Sequence, residues 1–578
     1  MGGPPGSQVA PLPSNLPFRL VSKTIGSGAY ASIRKACPLH APGPIIAVKF
    51  IHKQHAFTAG RLRPKQLQLE VSLHNSVSGH ANIIRFITHG DDPNWLWMCL
   101  ELASGGDLFD KIESDVGCGS EDVAHLYFVQ LVQAIGWCHG KGVAHRDVKP
   151  ENVLLSSDGN LKLADFGLAT QFVVPGRPER KRCGMVCGSP PYIAPEILAV
   201  GQTNLKRKMG GVLVKEGYDP DVSDMWSIAI VLFVLLAGNT PWDTPEMSQY
   251  EFYDYVNSGG KPTDELWSKI PAEALSLIRG MLTVEPTERF TLHHAKKHPW
   301  YTRENPEMTA ELLVANPVNL ATQMMETLRI DFDAKIPPSQ QAAALPITTT
   351  TTTTTPAQPD SMDLDLSTRG PLAAGWAKFA STQPDTPTND APFDWEAPTT
   401  RPYHGISASQ PTTGSSTTAT TTVTPEALLL ALQEETSMSQ FSQTPIGSLT
   451  ATQQARHFND IVPAHSLARF YTHYTLSAFL PLLLTALHRL NISIPTSPTA
   501  DHSPVAIRLK ALDGRNQVLQ GSVVVERVQI RGGFSGEEGL EVLEVRFLKA
   551  KGDPVGWRRL FKQVAVLCQE AIPREKKG

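Results

Sequence analysis

Within six residues the chain sets Asp147, Lys149 and Asn152, in the string His145-Arg146-Asp147-Val148-Lys149-Pro150-Glu151-Asn152. Thirteen residues past that Asn comes Asp165-Phe166-Gly167. These groups suit the transfer of a phosphoryl group. A carboxylate, Asp147, orients the attacking hydroxyl and takes its proton; a cation, Lys149, neutralises the moving phosphate; two oxygen ligands, Asn152 and Asp165, hold Mg²⁺. Between them, Asp158-Gly159 separates Val153-Leu154-Leu155 from Leu161-Lys162-Leu163, the strongest short-range hairpin signal. Such a hairpin puts Asp147, Asn152 and Asp165 at one end, as a shared metal site requires.

The elements that must position these groups are legible upstream. Leu20–Ile25 reads as a strand, Gly26-Ser27-Gly28 opens a loop, and Ser32–Ala36 continues extended. Strand, Gly-rich turn, strand lets backbone N–H groups approach phosphates without Cβ interference. Alone it is equally an ordinary hairpin turn; Ala47-Val48-Lys49 some twenty residues later lifts it. The helix expected over Lys65–Ser76 offers Glu70 as the partner of Lys49. Extended runs follow at Ile83–Thr88 and Leu96–Leu102, turning at Asp91-Asp92-Pro93-Asn94. The second runs into Gly105-Gly106, which suits a hinge between a small and a helical lobe. There the backbone groups of Glu101 and Ala103 are free to bond an adenine edge, with Leu100 behind them. Ser120–His139 has helical spacing and delivers the chain to His145. Beyond Ala194-Pro195-Glu196, Asp224 begins an apolar helix through Ala237 and is placed to brace the catalytic loop, while Arg289 is placed to pair with Glu196 in a buried ion pair.

Composition excludes several classes. The net charge of the 578 residues is −4, with no bulk attraction to nucleic acid or membrane. Seven scattered cysteines form no disulfide framework and read as the reduced thiols of an intracellular protein. Cys183 and Cys187 lack a second ligand pair, so no zinc site is expected. Residues 1–17, with five prolines, read as a flexible leader rather than a signal peptide. The apolar run near Leu476–Leu487 is too short to span a bilayer.

Taken in order, Gly26-x-Gly28, Lys49, Glu70, His145–Asn152, Asp165-Phe166-Gly167, Ala194-Pro195-Glu196, Asp224 and Arg289 resemble the protein-kinase family over residues 18–301. Leu102–Ile112, Cys187–Glu196 and Leu236–Asp243 are similar to the checkpoint kinases, Ser/Thr effectors of the DNA-damage and replication checkpoint in the calmodulin-dependent kinase group. The resemblance implies an α+β, two-lobed kinase fold. It implies ATP held by Ile25, Gly26, Ser27, Gly28, Ile33, Ala47, Lys49, Glu70, Leu100, Glu101, Ala103 and Leu154, with Mg²⁺ on Asn152 and Asp165. It implies Ser/Thr substrates with an upstream basic residue, received by Asp107 and Glu151, their hydroxyl resting near Ser189. It also implies cell-cycle phosphatases as substrates, an activating phosphatidylinositol-3-kinase-like kinase, 14-3-3 proteins as partners, no direct nucleic acid, a monomer, and a place in the nucleus and also the cytoplasm. Arg146 beside Asp147 usually marks a kinase switched by a phosphate in its activation segment; here the resemblance implies a segment competent without one. One departure is some fifteen extra residues between Glu196 and Asp224, around 199–216, for which the sequence offers no physical account.

After Tyr301 the composition shifts. Residues 302–455 read as a regulatory linker, largely disordered, since the Thr/Pro/Ser-rich 333–425, with eight consecutive threonines at Thr348–Thr355, cannot bury enough apolar area to offset its ordering entropy. Ser/Thr-Gln pairs occur at Thr322, Ser339, Thr382, Ser409, Ser439, Ser442 and Thr452; the resemblance singles out Ser409 and Thr452 as regulatory phosphorylation sites. Order is expected again over 456–573: a helix Ser477–Leu490, strands Val505–Leu512, Val518–Val528 and Leu540–Leu548, and a closing helix Gly556–Ala571. This resembles a small α+β kinase-associated domain, implying a kinase restrained by its C-terminal region. Arg558, Arg559 and Lys562 give the closing helix a basic face, either solvated or used for docking or phospholipid. Competing readings are a nutrient- or stress-sensing kinase of the same group and a scaffold that uses the fold only for binding.

Overall fold

The computed structural model describes residues 12–13, 15–28, 31–58, 63–113, 116–174, 176, 179–208, 217–330, 332, 384–385, 428–429, 432, 436–441, 458–462, 467–492, 494, 504–512, 518–530, 540–551 and 553–573. The small lobe is built on antiparallel strands in the order β1-β2-β3-β5-β4: β1 Phe18–Gly28, β2 Ala31–Pro38, β3 Ile46–His52, β4 Phe86–Asp91 and β5 Trp95–Glu101. β-branched and aromatic residues suit these pleated, half-covered strands. A short helix α1 (Lys53–Thr58) follows β3, and α2 (Pro64–Val77) starts with a proline in its first turn, where no N–H is needed. Glu70 is buried on α2, one turn before His74.

The expected strand at Ile83–Thr88 is displaced to Phe86–Asp91. The reason is tertiary: Ile83 bridges Leu163 of the large lobe, and the Ile84 N–H donates to the Leu163 carbonyl at 2.9 Å. That excursion ties α2 to the other lobe, since the His74 ring bonds the Ile84 carbonyl at 2.8 Å and lies 4.7 Å from the Phe166 ring.

The large lobe is helical. Acidic Glu121 and Asp122 suit the positive N-terminus of α3 (Glu121–Gly140). The later α4 (Pro195–Lys208) carries Glu196 in its first turn, and α5 (Pro220–Ala237) ends at Gly238 in the left-handed conformation. α5 begins four residues before the expected Asp224, because Pro220 is a good first-turn residue. It is long and apolar enough to cross a membrane, but 83% of it is buried in the lobe's core, which accounts for its composition. Order also continues past the expected domain end at 301. A helix over Pro317–Thr327 packs Leu320, Ala321, Met324 and Met325 into the same core, a short apolar face hidden among polar neighbours.

The end domain is a four-stranded antiparallel sheet in the order Arg469–Thr472, Leu540–Lys551, Val518–Ile530, Val505–Leu512, with helices Leu476–Arg489 and Pro554–Leu567. Phe470, Phe547 and Phe561 meet in its core, with Phe561 5.3 Å from Phe547. The α+β expectation holds, with one further strand, Arg469–Thr472, that local pattern does not mark. It is four residues long and buried throughout, so no alternation marks it, and Arg469 is paired with Glu544 at 3.1 Å across the sheet.

Burial holds the His74 imidazole down to about 4. The folded value lies below the unfolded one, about 6.5, so stability is full above that pH and lost as pH falls towards 4, by ~3 kcal/mol. His74→Phe should flatten this part of the stability–pH curve relative to the parent chain in chemical denaturation; parallel curves would show that His74 is not the titrating group.

Candidate active site

Lys49 joins three elements. From β3 its Nζ lies 2.8 Å from Glu70 Oε1 on α2 and 2.9 Å from Asp165 Oδ1. All three side chains are buried, where ion pairs are strong but persist only when geometry is good. Burial pushes the Glu70 carboxyl up, against the pull of Lys49. Asp165 occupies the left-handed region (φ 60°), unusual for a non-glycine, and its Oδ1 also accepts from the Gly167 N–H at 3.2 Å.

The catalytic loop is held from behind by Asp224. Its fully buried carboxylate accepts from the His145 N–H (2.9 Å), the Arg146 N–H (2.8 Å) and the His139 ring (2.8 Å). Those bonds fix Arg146 at φ 65°, a strained conformation of the kind that tertiary contacts must impose. The loop then presents a compact polar group. Lys149 Nζ is 3.0 Å from Asp147 Oδ2 and donates to Ser189 Oγ at 3.0 Å; Ser189 in turn donates to Asp147 Oδ1 at 3.2 Å. Burial pulls Lys149 down, but Asp147 and Glu151 outweigh it and hold the ammonium above its ordinary value. The cation is therefore retained beside the carboxylate.

Asn152 adds an acceptor oxygen to this set. Its Nδ2 donates to the Asp147 carbonyl at 2.7 Å, which turns Oδ1 the other way. That Oδ1 is buried with no hydrogen-bond partner, a costly state for an acceptor. A hard divalent cation takes such oxygens, so Asn152 with Asp165 fits Mg²⁺. The hairpin that carries Asn152 to Asp165 pairs Val153–Leu155 with Leu161–Leu163. Its tip needs glycine: Gly159 has φ +79°, and a Cβ there would lie 2.7 Å from the Phe458 ring.

Between the lobes, Ile33, Ala47, Leu100 and Leu154 are all half-buried, as apolar walls of a cleft would be. β1 runs through Ile25, Gly26, Ser27 and Gly28, pairing Gly26 with Ile33; residues 29–30 at the turn lie outside the described residues. At the hinge, one expectation is corrected. The Glu101 N–H is not free: it donates to the Arg85 carbonyl at 2.9 Å, because β4 and β5 remain paired there. The Glu101 carboxylate is also engaged, by Lys162 at 2.7 Å. Ala103 follows in the hinge, its carbonyl accepting from Gly106.

Arg146 and Tyr218 tie the activation segment to the catalytic loop. The Arg146 guanidinium donates to the Leu168 carbonyl at 2.7 Å and the Tyr218 hydroxyl at 3.4 Å, and that hydroxyl donates to the Met185 carbonyl at 2.9 Å. Tyr218 had no signal in the sequence, since it follows the unexplained insertion, of which 209–216 lie outside the described residues. Glu196 and Arg289 form a two-pronged pair, at 2.7 and 2.9 Å.

Of the two acids expected to receive a basic residue, Glu151 keeps a buried Oε2 with no partner. Asp107 is spoken for: its Oδ1 caps the Phe109 N–H at 2.8 Å. Burial and the neighbouring Asp110 push its carboxyl well up, with Lys549 of the end domain opposing them. Nearby, Lys562 of the closing helix meets Glu113 at 3.0 Å and Arg558 is buried, donating to the Leu328 carbonyl at 2.9 Å. The basic face is thus a docking face rather than a solvated one. Ser409 and Thr452 lie outside the described residues.

The family model "Protein kinase domain" matches residues 20–301. The chain is similar to serine/threonine-protein kinase chk1 of Schizosaccharomyces pombe, 34% identical over 95% of this chain and 96% of that protein. Its similarity to serine/threonine-protein kinase CHK1 of Saccharomyces cerevisiae is 32% over 98% and 99%, and to that of Mycosarcoma maydis 28% over 96% of each.

Arg289→Ala should strand Glu196 and cost roughly 3–5 kcal/mol in denaturant unfolding, whereas replacing both partners with apolar residues of similar volume should cost less. Equal losses in the two variants would mean that packing, not the stranded charge, sets the cost.

Proposed function

The chain belongs to the Chk1 family of serine/threonine protein kinases, and we propose that it is the effector kinase of a DNA-damage and replication checkpoint, restrained by its own end domain. As a protein kinase it uses ATP and Mg²⁺ and acts on protein substrates. The observation that carries the reading is the convergence of Asp147, Lys149, Ser189 and Asn152 with the Lys49–Glu70–Asp165 set around one cleft. Asp147 orients the substrate hydroxyl and accepts its proton, with Ser189 as the floor. Lys149 neutralises charge on the transferred group. Lys49, held by Glu70, steadies the phosphates nearer the nucleoside, and Ile33, Ala47, Leu100 and Leu154 exclude water around the base. Asn152 and Asp165 would hold Mg²⁺, which when bound would neutralise charge on the phosphates. A complete set of assembled groups supports an enzyme rather than a scaffold.

The substrate's upstream basic residue meets Glu151, whose buried unpartnered oxygen supports that role, rather than Asp107, whose Oδ1 is used by the Phe109 N–H. Lys549 and Lys562 approach the Asp107–Glu113 region from the end domain, which supports restraint by occupying ground a basic substrate would use. Release follows phosphorylation of the linker, at Ser409 and Thr452, by an upstream phosphatidylinositol-3-kinase-like kinase, with 14-3-3 proteins as readers and the nucleus and cytoplasm as the sites of action. The neutral tethering of Arg146 supports an activation segment that needs no phosphate of its own. Full-length similarity to chk1 kinases favours this reading over a nutrient-sensing kinase.

Asp147→Ala should lower phosphate transfer to a basic Ser/Thr peptide by about 10²–10⁴-fold while ATP-analogue binding persists in calorimetry; robust transfer would sink the assignment. In the full chain, Lys562→Glu should raise activity by up to about fivefold, the worth of one partly exposed ion pair, and adding Glu113→Lys should restore restraint. An unaltered rate in Lys562→Glu would argue against restraint through this contact.

A further inference from the structure

Linker residues Gln440 and Phe441 are as buried as any core residue, at 0% and 1% exposure, although they lie in the 302–455 linker that reads as largely disordered. The turn Thr436–Phe441 that carries them is wedged between two folded bodies. Every polar atom of the Gln440 amide is engaged. Its Oε1 accepts from Arg558 Nη1 at 2.7 Å, and its Nε2 donates to the Leu467 and Arg469 carbonyls at 3.0 and 3.3 Å. Its own carbonyl accepts from the Ile330 N–H at 2.8 Å, on the tail of the kinase lobe. Arg558 closes the circuit by donating also to Leu467 and to Leu328. Phe441 stacks on Phe332 (6.0 Å, 23° between planes) and packs against Phe470 and Phe561 of the end domain.

We propose that Gln440-Phe441 is an intramolecular ligand for a pocket built jointly by the end of the kinase lobe and the end domain, and that filling this pocket seats the closing helix on Glu113. The chemistry is selective. A glutamine has both the acceptor that Arg558 needs and the two donors that the Leu467 and Arg469 carbonyls need; an isosteric glutamate would keep the first and set a carboxylate against the other two. The aromatic slot adds shape, since ring pairs favour offset and edge-on packing. Lys562–Glu113 is a partly exposed ion pair, weak by itself, so the buried latch is what gives the seating its strength. Through Arg558, one side chain reads the linker, the lobe's tail and the end domain together. The consequence for activity rests on the restraint proposed above; the binding itself does not.

The test is hydrogen–deuterium exchange on the full chain, comparing the parent with Phe441→Ala and the milder, isosteric Gln440→Glu. Exchange should rise on the order of tenfold or more in 328–330, 107–113 and 554–567 together, with α5 keeping its protection. A synthetic peptide of residues 436–445, added to the Phe441→Ala chain, should lower that exchange again, and the same peptide with alanine at both positions should not. Parent-like protection in both variants overturns the proposal, and so does raised exchange that the peptide fails to reverse. If exchange rises and is reversed while peptide phosphorylation stays constant, the latch stands and restraint of activity is what falls.

Discussion

Two hydrogen bonds from backbone to a buried carboxylate hold the active site in shape. Asp224 sits on the core helix of the large lobe and accepts the N–H groups of His145 and Arg146. A carboxylate with no access to water must be satisfied by donors, and here the donors are the loop that carries Asp147. The bond therefore works in both directions: the loop solvates the charge, and the charge pays for the loop's strained backbone at Arg146. Everything the loop presents, from Lys149 to the outward-turned Asn152 oxygen, inherits its position from that contact.

The same logic recurs at each junction. Lys49 is buried only because Glu70 and Asp165 flank it, so helix, strand and Asp165 loop must arrive together. Glu196 on α4 and Arg289, in the loop between the helices Ala272–Met281 and Leu292–Lys297, join two parts of the large lobe in the same way, and Arg558 joins the end domain to the lobe. Unpaired buried charge is costly enough that each such pair acts as a condition on assembly as well as a bond. Apolar burial, above all along α5, supplies the bulk of the driving force, while the charged pairs specify which elements meet.

Much of this was legible without coordinates. Asp147, Lys149, Asn152 and Asp165 stand out as candidates because phosphoryl transfer calls for those types at short spacing, and the hairpin between them is marked by Asp158-Gly159. Glu70 was legible as the partner of Lys49, since helical spacing places it on one turn. The features that local pattern hides have a common cause. The strand Arg469–Thr472 is too short and too uniformly buried to show a period; the helix Pro317–Thr327 hides four apolar residues among polar ones; Tyr218 and Gln440 are single side chains whose partners are 72 and 118 residues away in Arg146 and Arg558. The Glu101 amide looked free because a strand's pairing is invisible from one strand alone.

The sequence by itself determined the chemistry and the elements that carry it, because reacting groups and secondary structure depend on residue type and local spacing. Only the tertiary structure decided which charges are buried against which, which way Asn152 turns its oxygen, and that the basic face of the closing helix meets acids of the kinase lobe. Those outcomes depend on distances between residues far apart in the chain, and close approach in space is the one quantity that local pattern does not encode.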